Sequence, residues 1–212
     1  MHPGWLSNAY LLADEEGGHA VYVDSGAPLE PLQAAAARWN VQPELVLRTH
    51  SHADHIEHEA ELGLPVRTGA VEVGGLRVEA LSTPGHSDDM VAFVVNGEAV
   101  FTGDTLFKDS VGGGNFEQVR SAVMDVLLKL PPEMRVLPGH TDETTIGREW
   151  DQNPFVRVWR GAEEEGTEAV RVAGEDATLI VWSPDYDGGG KAWVRYVDGR
   201  DAIVGGSRVE RG

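Results

Sequence analysis

Along most of this chain apolar and polar residues alternate in short runs, the pattern of strands, and a helical period appears only in a few longer stretches. Residues 8–13 and 19–24 are two such runs separated by the turn at 14–18, which predicts a hairpin. The alanine-rich stretch 29–39, with Pro28 and Pro31 near its start, predicts a helix. Leu45-Val46-Leu47 is a continuous apolar run and predicts a buried strand, followed by a short helix over 56–62 that Gly63 closes. Residues 65–81 are valine-rich and alternating, broken at Gly74-Gly75, and predict another pair of strands. Residues 90–95 and 98–102 flank Asn96-Gly97, a strong hairpin signal. Gly112-Gly113-Gly114 marks a flexible loop. The spacing over 116–130 predicts an amphipathic helix stopped by Pro131-Pro132; a short strand at 135–137 and a helix over 145–159, bent at Pro154, complete this part.

The pattern then changes. Residues 161–166 form an acidic, glycine-bounded linker, and beyond it lie four short strand candidates at 169–172, 177–182, 191–197 and 201–204. They predict a small antiparallel sheet or barrel. The expected division is therefore a larger unit over 1–160 and a β extension over 161–212.

Composition narrows the function classes. With 41% apolar and 25% charged residues the chain reads as an ordinary globular protein. It has no cysteine, so disulfides, thiolate metal sites and a thiol nucleophile are excluded. No apolar run approaches the roughly 20 residues that cross a bilayer, and the N-terminus lacks signal-peptide form, so a cytoplasmic location is expected. The net charge of −18 repels phosphate backbones and anionic membranes, which leaves a small molecule as the expected substrate and neither nucleic acid nor membrane as a partner.

The chemistry concentrates in Thr49-His50-Ser51-His52-Ala53-Asp54-His55, directly after the apolar run. Three imidazoles and a carboxylate at that density suit zinc, iron or manganese better than magnesium or calcium. Further metal-capable side chains follow other strand ends: Asp24, His86, Asp104 and His140. Loops at strand ends are where α/β proteins usually build sites. Imidazoles at i and i+2 can share a pocket while the next Asp and His turn to its other side, an arrangement that suits two adjacent metals.

The 49–55 motif, with Thr83-Pro84-Gly85-His86, Thr102-Gly103-Asp104 and Pro138-Gly139-His140 in order, resembles the metallo-β-lactamase-fold hydrolases, and within them the glyoxalase II (hydroxyacylglutathione hydrolase)-like branch. The resemblance covers roughly residues 5–160. It implies an α+β fold, a four-layer αββα sandwich with the site at one edge of two facing sheets. It implies a first divalent metal on His50, His52 and His86, a second on Asp54, His55 and His140, and Asp104 bridging both. Zinc is the expected metal, with iron and manganese as alternatives. Asp24 would hold the ligand loops by hydrogen bonds, and Asp54 would also orient a metal-held hydroxide that attacks a thioester or similar small ester.

Two features depart from that branch. The loop 107–114 lacks its basic and aromatic glutathione-binding residues, Lys108 being the nearby cation, and the tail is β-like where the branch has helices. Other readings are a persulfide dioxygenase-like oxidoreductase with a single iron on His50, His86 and Asp104, and, less favoured by the acidic charge, a phosphodiesterase or nuclease. His58 reads as a solvated helix residue, His2 and His19 as surface residues, and Trp150, Phe155 and Trp159 as core. Trp182, Tyr186, Trp193 and Tyr196 on the extension could pack as core, cover the site or join two copies in a homodimer.

Overall fold

The alternating runs at the start of the chain form the expected hairpin, β1 (Tyr10–Ala13) and β2 (His19–Val23). The structure, a computed structural model, describes residues 1–2 and 4–212. After α1 (Glu30–Trp39), β3 (Gln42–Leu47) joins β2 in parallel. Two single-turn helices, α2 (Ala53–Ile56) and α3 (Glu59–Leu62), lead to β4 (Val66–Arg67), which completes a sheet of order β1-β2-β3-β4.

The second sheet begins with β5 (Val71–Val73), β6 (Leu76–Ser82), β7 (Val91–Val95) and β8 (Ala99–Gly103), an antiparallel meander. A small ribbon of β9 (Leu106–Phe107) and β10 (Ser110–Val111) and the helix α4 (Phe116–Ser121) follow. Next, β11 (Arg135–Pro138) lies parallel to β8, and β12 (Thr144–Thr145) forms the edge, before α5 (Ile146–Gln152) and α6 (Pro154–Trp159). The order is β12-β11-β8-β7-β6-β5.

Side-chain alternation explains the layering. In β7, Phe93 and Val95 point into the space between the sheets, where Val21, Val23, Leu45 and Leu47 meet them, while Ala92 and Val94 face the helices. Both faces of β7 are covered, hence its unbroken apolar run. Ala36 of α1 packs on Ala20 and Val41 at the outer face of the first sheet. Val119, Val123, Leu127 and Phe155 cover the outer face of the second. The result is the four-layer αββα sandwich of an α+β fold.

Residues 168–211 form a third, antiparallel sheet: β13 (Glu168–Val172), β14 (Glu175–Ser183), β15 (Lys191–Tyr196), β16 (Asp201–Gly205) and β17 (Val209–Arg211). Its order is β16-β15-β14-β13-β17, the last strand being one that the sequence pattern did not predict. Ile180, Val181, Trp193 and Ile203 pack into the same apolar cluster as α4 and α6, so Trp193 is core. Trp150, expected in the core, is instead exposed, with the Arg160 guanidinium over its ring at 4.9 Å. Among the described residues no helix is long and apolar enough to cross a membrane.

Two helices differ from their predicted form for local reasons. The 116–130 helix continues from α4 through a π turn at Ala122–Val126 and a 3-10 turn at Leu127–Lys129. In an unbroken α-helix Leu128 would point about 120° away from Phe116. The wider turn rotates it back, and both are buried. The 145–159 helix breaks outright at Asn153, because a residue before proline is pushed out of the helical region. Asn153 then caps α6: its Oδ1 accepts from the amides of Phe155 and Val156 at 3.1 and 3.5 Å. Its Nδ2 donates to the Ser110 carbonyl and to Glu149 Oε2, both at 3.0 Å. Asn153→Ala removes the cap, one of the four hydrogen bonds on the buried Glu149 carboxylate and the bond to the Ser110 carbonyl. It should cost about 2–4 kcal/mol, read as a lower urea midpoint with unchanged slope.

Candidate metal centre

Each metal-capable side chain stands at the C-terminal end of a strand. Asp24 follows β2 and residues 50–55 follow β3, two parallel strands; His86, Asp104 and His140 follow β6, β8 and β11, which run in one direction in the other sheet. Their ends therefore meet at one edge of the sandwich.

Asp24 organises this edge from behind. It takes the left-handed conformation at φ 55°, and its carboxylate accepts the Thr49 amide and hydroxyl at 2.8 Å each and His55 Nδ1–H at 2.8 Å. Two glycines allow the loops to close up. A Cβ on Gly26 would strike the Asp54 carbonyl, and one on Gly139 would strike Asp104 Oδ1 and lie 2.7 Å from His55 Cε1.

The outer nitrogens of the rings are occupied. His86 Nδ1–H donates to the Gly113 carbonyl at 2.9 Å, and His140 Nδ1–H to the Leu6 carbonyl at 3.1 Å. His50 Nδ1–H faces the Thr49 hydroxyl at 3.1 Å, which in turn donates to Asp24. These bonds leave each Nε2 aimed at a common space, the usual outer support of metal-bound imidazoles.

Three overlapping sets of donors share that space: His50, His52 and His86; His50, His55 and Asp104; Asp54, His55 and His140. His86 Nε2 and His52 Nδ1 lie 2.9 Å apart. His140 Nε2 is 3.3 Å from Asp104 Oδ2 and 3.4 Å from Asp54 Oδ2, and His55 Nε2 is 3.3 Å from Asp104 Oδ1. Donor separations near 3.3 Å are those of atoms about 2.0–2.1 Å from a shared tetrahedral zinc. The decisive feature is burial without hydrogen bonds. His50 Nε2, His55 Nε2, His140 Nε2 and Asp104 Oδ1 are sealed from water and make no hydrogen bond. Buried polar atoms are rarely left so, and a divalent cation would satisfy all four. The residues therefore fit a metal centre.

Electrostatics divides the rings. Burial drives His50 down to about 3 and lowers His86, against the pull of Asp104. Burial also opposes the charge on His55 and His140, but Asp104 with Asp24, and Asp104 with Asp54, push them up to about 11 and about 9. Burial alone would raise Asp104; His140 and His55 hold it well below the usual carboxylate range. Asp54 is lowered in the same way, burial being outweighed by His140 and His55.

All seven residues assigned to metals are thus brought together, and Asp24 stands behind them. His58 faces Glu61 at 3.3 Å and belongs to none of the three sets; His2 pairs with Glu57 and His19 with Glu44. Two aromatic neighbours adjoin the centre: Phe107, which the sequence did not single out, and Tyr186, one of the four aromatics of the extension weighed as core, cover or interface. Tyr186 stacks on His140 with centroids 3.8 Å apart, and Phe107 meets the same ring edge-on. Burial, then Asp104, pushes the Tyr186 phenol up, so it keeps its proton. Its place among strand-forming aromatics gave no sign of this contact.

No protein-family model matches the chain. Over 160 residues it is 38% identical to a hydroxyacylglutathione hydrolase of Rhodopseudomonas palustris, covering 62% of this chain and 61% of that protein. It is 28% identical over 196 residues to the “Probable metallo-hydrolase YqgX” of Bacillus subtilis, covering 71% and 92%. Among solved structures, the BLEG-1 B3 metallo-β-lactamase aligns over 72% of this chain and 96% of its own, with 26% identity and a TM-score of 0.65. ETHE1 from Myxococcus xanthus aligns over 71% and 80%, with 32% identity and a TM-score of 0.63. TTHA1623 in a di-iron-bound form aligns over 73% and 98%, with 32% identity and a TM-score of 0.61.

Two outcomes follow from the geometry. At pH 7 the metal-free chain carries protons on His55 and His140, and ligation requires neutral rings. Zinc loading should release about two protons per chain, read from calorimetric heats in buffers of different ionisation enthalpy; heats independent of buffer would overturn the charge assignment. Gly139→Ala should weaken zinc binding about tenfold or more in a competition titration, since it displaces Asp104 and His55 together.

Proposed function

The chain belongs to the metallo-β-lactamase superfamily, and from that membership we propose that it is a dinuclear metal-dependent hydrolase cleaving a thioester or similar small ester. The overlap of the donor sets carries this reading. His50 and His55 each belong to two of the three sets, an arrangement that suits a pair of adjacent cations better than one. We assign His50, His52 and His86 to the first cation, Asp54, His55 and His140 to the second, and Asp104 to both. Zinc suits the mixed nitrogen and oxygen donors, with iron and manganese as alternatives. When bound, such a pair supplies Lewis acidity and a water whose pKa falls to about 7.

The chain's own groups do the remaining work. Asp24 and the carbonyls of Gly113 and Leu6 fix the tautomers that present Nε2 inward, so the donors need no rearrangement. Asp104 places buried negative charge between the two halves. Asp54, a quarter exposed and ionised, sits where it can accept a hydrogen bond from an entering water and orient it. A thiolate leaves without a strong general acid, so this mechanism requires no protonated donor at the leaving group. Lys108, the one cation of the 107–114 loop, pairs with the exposed Asp142 at 3.3 Å. The net charge of −18 favours a small substrate over a nucleic acid.

A second reading, a persulfide dioxygenase-like oxidoreductase with a single iron on His50, His86 and Asp104, draws support from the similarity to ETHE1 from Myxococcus xanthus. Metal analysis with an activity panel of thioesters, lactones and phosphodiesters separates the two. Two zinc-like ions per chain and thioester turnover are expected; a single iron with oxygen uptake on a persulfide would replace the first reading with the second. His52→Ala and Asp104→Ala should each abolish turnover while leaving a folded, metal-poor chain, and near-normal rates in either would overturn the assignment.

A further inference from the structure

The third sheet reaches the donor cluster through the loop between β14 and β15. There Tyr186 lies flat on His140, with centroids 3.8 Å apart and planes 8° from parallel. Phe107 meets the edge of the same imidazole at 5.7 Å and 89°, and meets Tyr186 edge-on at 6.1 Å. With Nδ1 bound to the Leu6 carbonyl, the ring is gripped on a face, an edge and a nitrogen.

The loop that carries Tyr186 is itself anchored. Asp185, on one side of it, pairs with Lys191 at 2.9 Å, the two side chains only 3% and 11% exposed. Ser183 Oγ bonds Ser110 Oγ at 3.0 Å, tying the start of the loop to β10. A buried ion pair gives little net stability, because desolvation offsets its Coulomb gain. Here it specifies where the loop sits.

We infer that Tyr186 is a positioning residue for the second cation, and that the C-terminal sheet is thereby part of the metal-binding apparatus. The stack holds the His140 ring in the plane that directs Nε2 toward Asp54 and Asp104 at 3.4 and 3.3 Å, and it shuts water from one face of that ring. His50, His55 and His86 bond groups within residues 1–160, the His86 loop being also bridged to β16 at Gly114–Ile203, whereas the His140 ring is stacked directly on a side chain of the third sheet. The inference rests on the dinuclear reading above.

The test titrates metal-free parent, Tyr186→Phe and Tyr186→Ala with zinc against a chromophoric chelator, and with cobalt to follow the visible band of each ion. Tyr186→Ala should weaken the second ion about 10–100-fold and leave the first unchanged, the usual size of an effect on an outer support. Tyr186→Phe, which keeps the stack, should bind like the parent. Unchanged affinities in Tyr186→Ala, equal weakening of both ions, or equal loss in Tyr186→Phe would each overturn the inference. Should Tyr186→Ala fail to fold by circular dichroism, Tyr186→Leu decides the question on the same criteria. A parent that never takes two ions overturns the dinuclear reading and this inference with it, whereas a parent that takes two beside an unaffected alanine variant overturns the inference alone.

Discussion

One carboxylate oxygen and three imidazole nitrogens, sealed from water and making no hydrogen bond, form an arrangement that a divalent cation would satisfy. Asp104, His50, His55 and His140 meet that description, and the rest of the structure serves their convergence. Parallel strands in each sheet bring the ligand loops to one edge. Asp24 binds the Thr49 amide and hydroxyl and the His55 ring with one side chain, so the 49–55 loop cannot drift from β2. Gly26 and Gly139 remove the side chains that would hold these loops apart.

How much of this could be read from residues alone depended on the range of the interaction responsible. The 49–55 cluster was legible because its donors are neighbours in the chain. His86, Asp104 and His140 were legible because each follows a strand whose apolar pattern is clear. The stack of Tyr186 on His140 was not, since it spans 46 positions and sits beside a buried Asp185–Lys191 pair that no local pattern encodes; the sequence offered Tyr186 only as one of four aromatics that could be core, cover or interface. The strand at 209–211 is short and polar and owes its form to pairing with β13. In the 116–130 helix the period announced an apolar face, but the π turn that keeps Leu128 on that face is set by packing.

The donors come from both halves of the sandwich: His50, His52, Asp54 and His55 from loops of the first sheet, His86, Asp104 and His140 from loops of the second. An ion gripped from both sides is a rivet as well as a reagent. It binds the closed sandwich and not the open chain, so its affinity adds directly to the work needed to part the sheets. On that footing a chain without ions would be the looser body, easier for a protease to enter, and metal supply would bear on how long the fold lasts as well as on what it does.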